Sequence, residues 1–200
     1  MKRLMLTGAI ALIGSTLQAQ TVVGKALVDG KEVELFSNET WRFTVETAPD
    51  CITITPKLTF CGNPAHWKPS PPPAPIVAAA YQFNGTTYGQ VVIEDVGTDL
   101  GLTVETARAS VLQGVKITAK SEPTVMLVET TDFQGQPAQT VVYQVKLGAM
   151  TVVYANTMFL GKATLAQIMT YEIGSDYTDS HKAAHAEFLA ATQVKEPDNG

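Results

Sequence analysis

Short stretches of alternating apolar and polar residues run through most of this chain. Alternation of this kind is typical of strands with one covered face, and it is clearest over residues 141–147. Residues 125–128 are all apolar, as in a strand that is covered on both faces. Turn signals separate the stretches and predict antiparallel hairpins; they lie at residues 29–30, 84–85, 134–137, 148–149 and 161–162.

The pattern changes to a helical period twice. Residues 103–113 predict a first helix, which Gly114 is placed to end before a strand over residues 115–119. A second helix begins at Asp179 or Ser180 and has its apolar residues on one face. This order of elements predicts an α+β fold, with two helices packed on one face of an antiparallel β-sheet.

The segment over residues 80–193 resembles the PsbP-like fold, which a photosystem extrinsic subunit shares with bacterial DcrB-type envelope proteins. The matching features are the helix from Thr103 to Gln113, the hairpins from Val125 through Ile173, and the closing helix with Glu187-Phe188-Leu189. The resemblance implies that the closing helix lies across the sheet with its aromatic residue buried. It also implies a non-enzymatic accessory or binding role that acts through protein contacts.

The first nineteen residues have the pattern of a secretory signal peptide. Lys2 and Arg3 precede an apolar stretch, and Ala19 offers a small residue for cleavage. The alternative is a membrane anchor, but the 14 residues from Leu4 to Leu17 are too few to cross about 30 Å of hydrocarbon as a helix. We therefore expect a periplasmic or secreted protein without a transmembrane anchor after cleavage.

Cys51 and Cys61 are the two cysteines of the chain, ten positions apart. In an oxidising compartment such a pair predicts a structural disulfide. A redox pair, or a metal site formed with His66, is the alternative interpretation. Catalytic cysteines usually lie closer together, and this spacing lacks the Cys-x-x-Cys pairs of zinc sites.

Composition shifts predict how the chain is organised. Five prolines fall within residues 69–75, which favours an extended linker, or alternatively a ligand for a proline-binding partner. The predicted parts, listed in order, are a signal peptide (1–19), a disulfide-tied hairpin module (20–68), the linker (69–75), the α+β domain (76–195) and a tail (196–200). Residues 29–43 resemble a small hairpin element of exported bacterial proteins of unknown role.

Charge and motifs give little support to catalysis. The net charge of −5 argues against a nucleic-acid partner. The sequence contains no nucleophile elbow, phosphate-binding loop or dinucleotide fingerprint. The acids Glu94, Asp95 and Glu172 are candidates for a hydrolytic pair, but they have no distinctive spacing. The sequence therefore predicts neither an enzyme nor a bound cofactor.

His181 and His185 are four positions apart, and this spacing places both rings on one helical face. With Asp176 and Asp179 nearby, they are weak candidates for a metal site. The alternative is the solvated face of an amphipathic helix. The leading hypothesis is thus an exported accessory protein with an unknown protein partner; a periplasmic metal-binding protein and an envelope hydrolase are the alternatives.

Overall fold

The computed structural model describes residues 21–28, 31–43 and 51–196 of the 200-residue chain. The predicted signal peptide, the turn at residues 29–30 and residues 197–200 of the predicted tail lie outside the described residues. The chain divides into two compact units between Glu46 and Thr47.

The smaller unit is a three-stranded antiparallel sheet. Its strands are β1 (Val22–Val28), β2 (Lys31–Phe36) and β3 (Trp41–Phe43), in that spatial order. Val33 and Phe36 of β2 are buried. The alternation in this part of the sequence therefore corresponds to strands.

The larger unit contains two antiparallel sheets and two α-helices. Its elements are β4 (Ile52–Thr55), β5 (Leu58–Phe60), β6 (Lys68–Ser70), β7 (Val77–Gln82), β8 (Thr87–Glu94), a short 3-10 helix (Thr98–Leu100), α1 (Val104–Ala119), β9 (Thr124–Phe133), β10 (Gln136–Leu147), β11 (Met150–Leu160), β12 (Leu165–Ile173), α2 (Asp179–Ala191) and β13 (Thr192–Val194). The main sheet has the strand order β6-β7-β8-β12-β11-β10-β9, and a small sheet has the order β13-β5-β4. The predicted α+β class is confirmed.

Helix α1 is longer than its sequence predicted. The backbone N–H of Thr106 donates to Thr103 Oγ1 at 3.2 Å, which caps the first turn. The helix continues through Gly114 and ends only at Lys120, whose φ of 53° is left-handed. The predicted end at Gly114, and the strand predicted after it, are therefore wrong. Val115 lies four residues after Val111, so the apolar stripe of the helix extends past the glycine.

The two helices lie on opposite faces of the main sheet. Met158 of β11 packs in one apolar cluster with Ala107 of α1, whereas its neighbour Thr157 is hydrogen-bonded to His185 of α2. Successive side chains of a strand point to opposite faces, so each helix covers its own face. The expected placement of both helices on one face is thus corrected. We call these surfaces the α1 face and the α2 face.

The hairpin of β4 and β5, which carries the two cysteines, belongs to the larger unit. Strand β5 pairs with β13 after the closing helix, and the backbone N–H of Cys61 donates to Ala191 O at 2.7 Å. Leu58 and Phe60 are buried in the core of the α2 face. The predicted module boundary at residue 68 is therefore corrected to the division between residues 46 and 47. The apolar side chains of this hairpin supply part of the larger core.

The proline-rich segment predicted as a linker begins as an edge strand. Pro69 lies in β6 opposite Tyr81 of β7, and Trp67 just before it is 1% exposed. Proline is tolerated at a sheet edge, where no neighbouring strand needs its N–H. The predicted linker is thus corrected at its start, because residues 68–70 are part of the main sheet.

Candidate functional site

Aromatic side chains fill the α2 face. The ring of Phe188 is fully buried, with ring centroids 4.6 Å from Trp67 and 5.3 Å from Phe60. A Cβ atom at Gly89 would lie 2.6 Å from a carbon of the Phe188 ring, so the sheet approaches this ring too closely for any side chain there. The implied burial of the aromatic residue of the closing helix is confirmed.

Both histidines of α2 point into the sheet. The Thr170 Oγ1 atom lies 3.0 Å from His181 Nε2 and 3.0 Å from His185 Nδ1. A hydrogen bond of 2.8 Å joins His185 Nε2 to Thr157 Oγ1, which in turn lies 2.7 Å from Thr140 Oγ1. These contacts attach α2 to β11 and β12, and Thr157 extends the network to β10.

Burial holds both imidazoles in the neutral form at pH 7. Burial first, and then the neighbouring His181, lower the pKa of His185 to about 4. Burial also lowers the pKa of His181, while Glu172 and hydrogen bonding at Thr170 act in the opposite direction. The interpretation of these histidines as a solvated face is wrong. The stripe shared by Ala184 and Phe188 includes the two rings, so the whole stripe turns toward the sheet.

The structure does not bring the four weak metal candidates together. Asp179 accepts a hydrogen bond from Lys182 Nζ at 3.0 Å, and Asp176 accepts one from Ser175 Oγ at 2.9 Å. Both histidines are instead bonded to threonines. Within residues 21–28, 31–43 and 51–196, no three His, Cys, Asp or Glu side chains are grouped so that they could hold a metal ion.

The cysteine pair and the candidate acids have separate roles. Cys51 and Cys61 form a disulfide, which confirms that prediction. His66 Nδ1 lies 2.9 Å from Glu187 Oε1, and Trp67 Nε1 donates to the same oxygen at 3.1 Å. The two bonded sulfur atoms leave no thiolate for a metal site with His66.

The three acids considered for hydrolysis do not share a site. Asp95 pairs with Lys57 at 2.6 Å, and Glu172 accepts a hydrogen bond from Thr87 on the α2 face. Glu94 lies on the α1 face, where it accepts from Gln167. The sheet therefore separates Glu94 from the other two carboxylates.

A cleft of about 560 Å³ lies between α1 and the main sheet. This volume is within the range of small-molecule sites, about 300–1,000 Å³. Most of its lining is apolar and comes from both the helix and the strands; examples are Val77, Val92, Val111, Val115, Leu147 and Met169. The strands β7, β8, β10, β11 and β12 form the floor, and one side of α1 forms the wall. This cleft is the candidate functional site.

Polar side chains are concentrated in one line across the floor. Asn156 Nδ2 donates to Gln167 Oε1 at 3.1 Å, and Gln167 Nε2 donates to Glu94 Oε2 at 3.1 Å. Asn156 is fully buried, and its Oδ1 atom has no hydrogen-bond partner in the part of the chain that the structure describes. Gln167 and Glu94 both line the cleft.

Next to this line, four tyrosines form a row across four strands. Tyr88, Tyr171, Tyr154 and Tyr143 are direct register partners on β8, β12, β11 and β10. Each neighbouring pair has ring centroids 5.2 Å apart. Burial and the adjacent Tyr171 raise the pKa of Tyr154 to about 12, so its hydroxyl group is uncharged at neutral pH. Tyr143 and Tyr154 add aromatic surface and hydroxyl groups to the cleft.

Sequence reasoning did not identify this cleft. One signal was present: Ser110, Gly114 and Thr118 repeat a small residue every four positions along one side of α1. All three line the cleft, and a Cβ atom at Gly114 would meet nothing within 4 Å. Small side chains on this side of the helix leave the space between α1 and the sheet unfilled.

No helix among the described residues has the length and apolar character that crossing a bilayer requires. No protein-family model matches the chain, and no curated protein matches it.

Several solved structures resemble this one, including the following two. The solution structure of cyanobacterial PsbP (CyanoP) from Synechocystis sp. PCC 6803 is 16% identical in sequence, with a TM-score of 0.53 over 76% of this chain and 96% of that one. A protein of unknown function from Pseudomonas aeruginosa is 10% identical, with a TM-score of 0.44 over 90% of this chain and 99% of that one. The likeness to CyanoP shows that this chain has the PsbP-like fold, as the order of elements in the sequence suggested.

Proposed function

We propose that this protein is an exported accessory protein that acts by binding, and that the cleft under α1 is its binding site. The observation that carries the proposal is the space between α1 and the sheet, about 560 Å³ with a mainly apolar lining and few polar groups. Ligand sites in proteins have this character. Of the sixteen residues of α1, only Ala107 is buried, so the helix covers the cleft without filling it.

Two features support export and a role without catalysis. The first nineteen residues have the pattern of a signal peptide, and a disulfide is typical of oxidising compartments. The acids considered for hydrolysis lie on different faces, so the site offers contacts rather than a reactive pair. N-terminal sequencing of the protein from its native host is expected to begin at Gln20. A retained Met1 would contradict export through this signal.

The binding site can be tested by filling the cleft from the helix. Gly114→Phe places a ring where a Cβ atom now meets open space, and we expect it to reduce binding of the apolar fluorescent probe N-phenylnaphthylamine at least tenfold. Gly114→Ala is the matched control, because one methyl group leaves most of the cleft empty. Equal probe binding by the wild type and Gly114→Phe, or no binding by the wild type, would contradict the proposal.

A partner protein is a second candidate ligand, and strand β9 favours it. Val125, Met126, Leu127 and Val128 are exposed on both faces of this edge strand, so the expectation that residues 125–128 form a covered strand is wrong. The opposite edge of the sheet is short and contains Pro69. A long edge without proline or charge over these positions is suited to pairing with an extended segment of a partner.

Photocrosslinking in cells tests this second candidate. A crosslinker at Met126 is expected to trap a partner peptide in contact with β9, and Leu127→Lys is expected to abolish the adduct. Met150 is 51% exposed, against 42% for Met126, at the start of β11 beside a hairpin turn, and it is the control position. Equal adducts at Met126 and Met150, or adducts that persist in Leu127→Lys, would contradict pairing at β9.

A further inference from the structure

The charge inside the cleft has one sign. Among the described residues that line it, Glu94 is the single ionisable acid or base apart from the two tyrosines. No ion pair of the described residues includes Glu94, whereas the adjacent Asp95 pairs with Lys57. The cleft therefore presents a carboxylate with no cation opposite it.

The hydrogen bond that Glu94 accepts from Gln167 leaves other lone pairs of its carboxylate available to a ligand. A carboxylate can only accept, so Gln167 must turn its amide nitrogen toward Glu94 and its oxygen toward Asn156. Asn156 then donates to Gln167, and its own Oδ1 atom remains without a partner in the described structure. Asn156 is fully buried and does not line the cleft, so the acceptor that this line of side chains presents to a ligand is the Glu94 carboxylate. A group that binds to this carboxylate must donate hydrogen bonds.

The cleft is elongated along the helix. Its lining extends from Glu94 and Leu102 near the start of α1 to Ala119 and Leu147 near its end. The sixteen residues of α1 span about 24 Å at 1.5 Å per residue. Apart from the polar line and the uncharged polar residues Gln90, Ser110 and Thr118, the side chains along this length are apolar or aromatic. A ligand with one polar end and a long apolar body matches this arrangement.

Building on the proposed function, we infer that the cleft binds an elongated apolar molecule whose polar end donates hydrogen bonds and is cationic or neutral, with that end at Glu94. An anionic end would lie beside the Glu94 carboxylate without a cation to offset the repulsion, and it would offer that carboxylate no proton. The apolar side chains of the cleft hold the apolar body of the ligand.

Competition between ligands with the same apolar chain measures how the polar end alone changes the affinity. Dodecylamine, dodecanol and dodecanoate are titrated, below their micelle concentrations, against N-phenylnaphthylamine bound to the wild-type protein. We expect dodecylamine to displace the probe at a concentration at least tenfold lower than dodecanoate, with dodecanol between them. Dodecanoate competing as well as dodecylamine would overturn the inference.

Two variants show whether Glu94 causes the preference. Glu94→Gln keeps an oxygen that can accept from Gln167 but removes the charge, and we expect it to reduce the preference for dodecylamine over dodecanoate about tenfold. Asp95→Asn is the matched control, because it removes the same charge one residue away, outside the cleft, and should leave the preference unchanged. An unchanged preference in Glu94→Gln, or an equal loss in Asp95→Asn, would overturn the inference.

The two proposals can fail separately in this experiment. If the probe does not bind, or binds equally to Gly114→Phe, the proposed function is wrong and the inference is wrong with it. If the probe binds, and Gly114→Phe blocks it while the order of the three ligands is different, only the inference about the polar end is wrong.

Discussion

The two faces of the main sheet share the same strands but are covered differently. On the α2 face, the helix buries five residues, including Phe188 and both histidines, against an aromatic core. On the α1 face, the helix buries Ala107 alone and leaves a cleft of about 560 Å³. The α2 face therefore stabilises the fold through a filled core, whereas the α1 face contains the cleft that we propose as the binding site.

The largest expected effect on stability comes from a substitution on the α2 face. Phe188→Ala removes a fully buried ring that contacts Trp67 and Phe60, and it should lower the free energy of unfolding by about 4 kcal/mol. Val111→Ala on α1 is the comparison, because its half-buried side chain borders the cleft and should cost about 1 kcal/mol or less. Urea unfolding followed by near-UV circular dichroism measures both. Similar losses in the two variants would contradict the division between the faces.

The histidines predict a pH dependence that also originates on the α2 face. The pKa of His185 is lowered from 6.5 to about 4 in the folded protein, so the unfolded chain binds more protons between these values. The stabilisation is therefore complete above about pH 6.5 and decreases as the pH falls toward 4. Between pH 7 and pH 5 we expect a loss of about 2 kcal/mol in the free energy of unfolding.

The controls for this pH effect use two histidine variants. His185→Gln retains a side chain that can hydrogen-bond to Thr157, but it does not titrate, so the slope between pH 7 and pH 5 should become shallower. His66→Gln, which removes a half-exposed ring that contacts Glu187 outside the buried pair, is measured in parallel. Stability that stays constant or rises as the pH falls from 7 to 5 would contradict the buried, neutral state of His185.

The smallest expected effect on stability comes from a substitution in α1. Gly114→Ala should raise the free energy of unfolding by about 1 kcal/mol, because alanine has a higher helix propensity and its methyl group meets no atom within 4 Å. Gly89→Ala is the opposite case on the α2 face, where a Cβ atom would meet the Phe188 ring. Thermal unfolding of the two variants should show stabilisation by the first and destabilisation by the second. The same sign for both would contradict the comparison of the faces.

The sequence predicted the secondary-structure elements better than it predicted where they lie in the folded protein. Alternation over residues 141–147 and the glycine turns predicted the hairpins, because these signals depend on neighbouring residues. The histidine pair shows the limit of this reasoning. A spacing of four places two rings on one side of a helix, but only the packed sheet determines that this side is buried.

Long-range pairing accounts for the errors in the organisation of the chain. Residues 51–68 look like part of a separate module because a proline-rich segment follows them, yet β5 pairs with β13 near the other end of the chain. No local pattern records such a pairing. Local patterns do not predict the cleft either, because it is defined by the distance between α1 and strands that come from several parts of the sequence.

Amide hydrogen exchange of α1 and α2, with and without dodecylamine, tests the central claim most directly. Without ligand, we expect the amides of Val104–Ala119 to exchange faster than those of Asp179–Ala191, because α1 is held by fewer buried side chains. A saturating ligand should slow exchange in α1 and leave α2 unchanged. Equal protection of the two helices without ligand, or slowing confined to α2 when ligand is added, would contradict the account.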